Sequence, residues 1–142
     1  MLKNILPPIL LVEDDEVDVM NVQRAFKKNH IGNDLIIAGN GVEALELLLA
    51  DSPKRLSAMP KIVLLDINMP KMNGLELLKI LRADDELKKL SVFMLTTSNE
   101  ERDKIEAYNL NVAGYIIKPV NFESFIDAIK KLNAFWNLIE YP

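Results

Sequence analysis

Four short stretches of this chain hold side chains that could do chemistry together. They are the acids Glu13, Asp14 and Asp15, the aspartate Asp66, the hydroxyls of Thr96 and Thr97, and the ammonium of Lys118. Carboxylates brought close together repel, so either some keep their protons or a cation neutralises them. The chain has no cysteine and one histidine, His30. Where a cation does so, a hard divalent ion with oxygen ligands, Mg²⁺ above all, suits this set. Magnesium keeps several waters and takes one or two carboxylates, which leaves positions open for a phosphoryl group. A carboxylate such as Asp66 can accept that group as an acyl phosphate. The transfer needs in-line placement and neutralisation of the equatorial oxygens more than acid–base help. Lys118 offers a mobile positive charge and Thr96 a hydroxyl donor, and Pro119 biases the backbone of Lys118 toward an extended form.

The elements that must position these groups are alternating apolar runs and amphipathic stretches. "ILLVE" (9–13), "DLIIAGN" (34–40), "KIVLLD" (61–66), "SVFMLTTS" (91–98) and "VAGYIIKP" (112–119) read as strands. Between them, 16–29 is a helix with Val19, Val22, Ala25 and Phe26 inward and Val17 and Met20 off the stripe. Residues 41–50 form a helix facing inward with Val42, Leu45, Leu48 and Leu49, and 74–87 one with Leu77, Leu78 and Leu81. A polar helix follows at 99–110, with Asn99 as N-cap. The last helix, 121–136, repeats Phe122, Phe125, Ile126, Ile129, Leu132 and Trp136 at threes and fours. Residues 51–60 read as a loop.

Five strands, each followed by a helix, predict parallel pairing through right-handed crossovers, with both sheet faces covered. The fold class is α/β: a doubly wound five-stranded parallel sheet, a flavodoxin-like (βα)5 sandwich. The order 2-1-3-4-5, general to such sheets, makes strands 1 and 3 neighbours at the switch point, where sites form beyond the carboxyl ends. Every residue of the chemical set stands at such an end.

The 142 residues suit one domain, and 49% hydrophobic with 27% charged residues is the range of an ordinary globule. A net charge of -4 gives no reason to seek nucleic acid or an anionic membrane, and the lysine pairs at 27–28, 88–89 and 130–131 read as solvated helix faces. The apolar N-terminal stretch is broken by Pro7 and Pro8 and followed by acids, so it is neither signal peptide nor membrane span. The absence of cysteine agrees with a cytoplasmic location. Each site residue also has a plainer reading: Asp66 as a turn or cap residue, Thr96 as a strand former, Lys118 as a surface lysine, Tyr115 as core and His30 as a surface residue near a helix end. The combination at separate strand ends outweighs them.

"LLVEDD", "LLDINMPKMNG", "MLTTS" and "GYIIKP" occur in this order over about 9–132. Together they resemble the receiver domain of two-component response regulators. The resemblance implies that Asp66 is the phosphoacceptor and also a ligand of Mg²⁺, that Asp14 is the main carboxylate ligand with Glu13 acting through water, and that the Asn68 backbone carbonyl is the third protein ligand. It implies that Thr96 is the switch hydroxyl, Lys118 the phosphate-contacting lysine and Tyr115 the aromatic switch, with Pro70 and Gly74 in the turn after the acceptor strand. Many receivers carry Asp-Asp where this chain has Glu13-Asp14. Residues 1–142 then read as a single receiver domain, since no DNA-binding or enzymatic output domain follows. The loop before "KIVLLD" and the tail "FWNLIEYP" resemble receivers that take phosphate from bacterial phytochrome histidine kinases, in which a C-terminal extension, here 133–142, helps form a homodimer. The expected partners are a histidine kinase and a second copy of the chain.

Competing readings make distinct demands. A phosphatase or phosphotransferase passing through an aspartyl-phosphate needs an acid two residues after the nucleophile, where this chain has Asn68. A flavodoxin-like FMN carrier needs a donor-rich loop after strand 1, where "EDD" would repel a phosphate. A receiver-like binding module without phosphorylation needs no complete set of acid, acceptor, threonine and lysine.

Overall fold

The computed structural model describes residues 6–69, 71–96, 106, 108–118 and 121–138, apart from the side chains of Thr96 and Leu138. Strands β1 (Ile9–Val12), β2 (Leu35–Ala38), β3 (Ile62–Asp66), β4 (Ser91–Thr96) and β5 (Gly114–Ile117) form one parallel sheet in the order β2-β1-β3-β4-β5. Its helices are α1 (Glu16–Lys28), α2 (Gly41–Leu48), α3 (Gly74–Ala83) and α4 (Phe122–Leu138). Glu106, Tyr108 and Asn109 are helical within the expected 99–110 segment, most of which lies outside the described residues.

The strand sequences lack polar alternation because both faces are buried. Leu10, Val12, Val63, Leu65, Val92 and Met94 pack on one side with α2 and α3. Ile9, Leu11, Ile62, Leu64, Phe93, Leu95 and Ile116 pack on the other with α1 and α4. Val22, Ala25 and Phe26 carry the buried face of α1, while Val17 and Met20 are exposed as their positions off the stripe require. Phe125, Ile129, Leu132 and Trp136 are buried from α4, and the Trp136 ring tilts onto Phe26 with centroids 6.2 Å apart.

Asparagine and aspartate start the helices. Asp15 accepts from the backbone N–H groups of Val17 and Asp18 (2.8 and 3.2 Å). Asn40, Asn73 and Asn121 accept from Glu43, Glu76 and Ser124 (2.9, 2.9 and 2.8 Å). Each satisfies an N–H that has no partner within its helix.

Two local expectations change. The inward face of α2 is Gly41, Ala44 and Leu48, with Val42 exposed. Gly41 lies so close to Met72 that an added Cβ would stand 2.8 Å from its Cγ, so backbone contact rather than a valine sets the face. The third helix stops at Ala83 instead of running to Leu87. Asp84 takes an extended backbone, and its Oδ1 accepts from the N–H groups of Glu86 and Leu87 (both 2.9 Å), turning the chain into a short 3₁₀ helix at Leu87–Lys89. Beside that turn, the guanidinium of Arg82 donates to the carbonyls of Leu110 (2.8 Å) and of Lys88, Leu90 and Asn111 (3.0 Å each). Arg82 thus ties α3 to the segments entering β4 and β5.

Candidate functional site

The parallel register sets the carboxyl ends of β1, β3 and β4 side by side, with Val12 opposite Leu65 and Asp66 opposite Leu95. Glu13 and Asp14 follow β1 directly, Asp66 ends β3 and Lys118 follows β5. Glu13 and Asp66 are the buried charged side chains of the described residues, Asp14 and Asn68 are exposed, and Lys118 is partly buried. A carboxylate oxygen from each of Glu13, Asp14 and Asp66 can be chosen so that all three lie within 4.8 Å of one another.

Lys118 Nζ sits over this cluster. It lies 2.7 Å from Glu13 Oε1, 2.9 Å from Asp18 Oδ2 and 3.2 Å from Asp66 Oδ1. The contacts to Asp18 and Asp66 are aligned hydrogen bonds. That to Glu13 is an ion pair at short range without hydrogen-bond alignment, so Glu13 Oε1 is buried and lacks a directed donor. Glu13 Oε2 accepts from the Asp15 N–H at 3.3 Å. The cleft above is lined also by Asp15, Asp18 and Asn68.

Burial and charge crowding govern the protonation. Burial pushes the Glu13 carboxyl up to about 8, the neighbouring Asp66 adds to the rise, and Lys118 opposes it. Asp66 is raised by burial as well, against the Glu13 hydrogen bond, the charge of Lys118 and a backbone hydrogen bond from Asn68. Burial works against the charge on Lys118, but Glu13, Asp18 and Asp66 outweigh it and hold the ammonium above its ordinary value. Five acids, Glu13, Asp14, Asp15, Asp18 and Asp66, stand against one lysine, so ionised they leave an excess of negative charge at the cleft.

A divalent cation answers that excess. The donors are all hard oxygens, one carboxylate is exposed at the mouth, and the undirected Glu13 Oε1 is available to a ligand or its water. The set fits Mg²⁺ or Mn²⁺ and does not fit a metal that asks for nitrogen or sulfur.

The acceptor strand leaves the site through a tight turn. The Gly74 N–H donates to the Ile67 carbonyl at 2.9 Å, and a Cβ on Gly74 would stand 2.2 Å from the Asp66 carbonyl oxygen. Only glycine fits there. Tyr115 is half-buried in β5, edge-on to the exposed Tyr108 with ring centroids 4.6 Å apart. The backbone of Thr96 pairs with Ile117, one residue before Lys118. The Thr96 side chain, together with Pro70, Thr97 and Pro119, lies outside the described residues.

The structure therefore brings Glu13, Asp14, Asp66 and Lys118 together and borders them with Asn68. Sequence reasoning missed Asp18. Its one indication was position, in the first turn of the helix that follows Glu13 and Asp14.

Comparison with known proteins agrees with this geometry. Residues 9–130 match the family described as the response regulator receiver domain. Response regulator Rcp1 of Synechocystis sp. is 36% identical over 132 residues, covering 92% of this chain and 90% of that protein. The crystal structure of the phosphorylated cyanobacterial phytochrome response regulator RcpA superposes with a TM-score of 0.84 at 32% identity, covering 92% of this chain and 93% of that one. The Mn²⁺-bound form of Rcp1 gives 0.84 at 33% identity, covering 96% and 99%.

Proposed function

This chain belongs to the receiver-domain family of response regulators, and from that premise we propose that Asp66 is its phosphoacceptor and takes a phosphoryl group from the phosphohistidine of a sensor kinase. The observation that carries the proposal is the convergence of Lys118 on Asp66 and Glu13 at one sheet edge, with Asp14 within reach.

One carboxylate oxygen of Asp66 forms the new P–O bond as the P–N bond to the donor imidazole breaks. The electron pair returns to the imidazole nitrogen, which takes up a proton. Asp66 is held in place by Lys118, by the Asn68 N–H and by the close backbone of Gly74, so the attacking oxygen needs little further ordering. Lys118 neutralises charge on a phosphoryl oxygen. Glu13, Asp14 and the Asn68 carbonyl would hold Mg²⁺, with Asp66 at its edge. When bound, the ion supplies charge neutralisation for the phosphoryl oxygens and lets both carboxylates lose their protons.

Thr96 and Tyr115 are the switch pair in this reading. Thr96 follows the new phosphoryl group, Tyr115 turns inward from its half-buried position, and the β5–α4 surface changes for a downstream partner. The chain is a signalling receiver rather than a classical enzyme, and its chemistry is one phosphoryl group gained and lost on Asp66. Residues 1–142 act as one receiver unit in the cytoplasm. No helix among the described residues is long and apolar enough to cross a membrane.

The named relative RcpA is a phytochrome response regulator, which supports a bacterial phytochrome as the kinase here. Ile117 and Phe135 are exposed on β5 and α4. They support a homodimer that uses the C-terminal region, 133–142, and sedimentation of a Phe135→Glu variant as a monomer is the expected result; an unchanged dimer contradicts that contact. The function itself is tested by phosphotransfer from a purified bacterial phytochrome kinase. Label reaches the wild-type chain and not Asp66→Asn, with the amount set by light. Equal labelling of both chains contradicts the assignment.

A further inference from the structure

Asp18 lies outside the stretches "LLVEDD", "LLDINMPKMNG", "MLTTS" and "GYIIKP", yet it holds the lysine at the centre of the site. An ammonium has three N–H donors, and Lys118 has three carboxylate neighbours, at Glu13, Asp18 and Asp66. Two of the donors are directed at Asp18 and Asp66, and its charge is shared with Glu13 at 2.7 Å. A phosphoryl oxygen on Asp66 competes with these carboxylates for Lys118, and gains it in full as one of the contacts gives way.

The three are not equal. The Glu13 side chain is fully buried and that of Asp66 is 7% exposed, whereas that of Asp18 is 32% exposed. A buried carboxylate that loses its cation has no water to replace it. Asp18 has water at hand, and it stands in the first turn of α1, where the helix dipole favours its charge. Asp18 is the contact that costs least to give up.

We propose that Asp18 is a positioning residue that holds Lys118 while Asp66 is unmodified and gives it up to the phosphoryl group. This rests on the reading of Asp66 as phosphoacceptor and Lys118 as its partner. It has two consequences. Competition from Asp18 weakens the hold of the site on a phosphoryl anion. Phosphorylation also cuts the tie between the loop after β5 and the first turn of α1, so the site reports to α1 as well as to the β5 side. That turn carries the exposed apolar side chains Val17 and Met20.

Asp18→Asn keeps the shape and removes the charge, and Asp18→Glu keeps the charge. Phosphorylation by acetyl phosphate at saturating Mg²⁺ gives the first readout. Asp18→Asn is expected to lower the half-saturating acetyl phosphate concentration roughly three- to tenfold, from loss of one nearby like charge, with the plateau rate changed less than about twofold. Asp18→Glu is expected to return toward wild type. The second readout is amide exchange across 16–22, with and without beryllofluoride as the phosphoryl mimic. Exchange in wild type quickens on loading, and in Asp18→Asn the two states match. Wild type that is phosphorylated normally while Asp18→Asn behaves identically in both readouts overturns the role of Asp18 alone. Wild type that takes no phosphate at all overturns the reading of Asp66, and this one with it.

Discussion

Replacing Gly74 by alanine adds one methyl group to the back of the acceptor strand. Its Cβ would lie 2.2 Å from the Asp66 carbonyl oxygen and 3.0 Å from the Asp66 carbonyl carbon and Ile67 Cα. All three are backbone atoms, so no side chain can swing aside. Ordinary contact begins near ~3.5 Å, and the methyl and the Asp66 backbone must therefore part by about 1 Å. No glycine among the described residues has positive φ, so alanine meets no conformational penalty at 74. As the first residue of α3 it even gains up to about 1 kcal/mol of helix preference. Overpacking typically costs about 1–3 kcal/mol, and here it outweighs that gain. The larger effect falls on chemistry. Displacing an attacking group by about 1 Å can cost on the order of a hundredfold in rate. Gly74→Ala is therefore expected to lose about 1–2 kcal/mol in urea unfolding and about a hundredfold in the rate of phosphorylation by acetyl phosphate. Both are measured on the same preparation, so a folded but slow protein is distinguishable from an unfolded one. Gly74→Ala with wild-type stability and rate refutes the close packing of α3 on the Asp66 backbone.

The pH dependence of stability follows from Glu13. Its folded value, about 8, stands above the ordinary 4.5, so the protonated form is favoured in the fold; the metal-free protein holds that stability below about 4.5 and loses it as pH climbs through about 8. Thermal melts without metal should fall over this window, Mg²⁺ should restore most stability at the alkaline end, and Glu13→Gln should flatten the metal-free curve; a metal-free curve that rises from pH 5 to 8 contradicts the assignment. Arg82→Lys should cost about 2–4 kcal/mol in urea unfolding, because an ammonium cannot reach the four carbonyls that the guanidinium fork holds. A loss under about 0.5 kcal/mol shows that the Arg82 bonds do not carry the β4 and β5 approaches.

The sheet and most of the site were legible because β-runs and strand ends are local facts of a sequence. Asp66 follows four apolar residues of β3, Lys118 follows β5, and the five-strand alternation places both at one edge before any coordinate is known. What was not legible depends on contacts between distant segments. The end of α3 at Ala83 is set by an Asp84 side chain folding back on the next turn, which helix periodicity ignores. Val42 is apolar and in phase, but α2 rolls toward Met72 because Gly41 permits close approach. Asp18 reads as one more solvated acid on a helix face; its role comes from a lysine 100 residues away in the chain. Arg82 reads as a surface charge in the last turn of α3 until the carbonyls of Leu110 and Asn111 are placed around it.

Locating the phosphoryl bond decides whether Asp66 is the acceptor. The chain is treated with acetyl phosphate and Mg²⁺, the acyl phosphate is reduced with borohydride, and the peptides are read by mass spectrometry. Residue 66 alone is expected to be converted to homoserine, and omitting Mg²⁺ or replacing Lys118 by alanine is expected to lower the yield sharply. Conversion at Asp14 or Asp15 with Asp66 intact, or a yield indifferent to Mg²⁺, contradicts it.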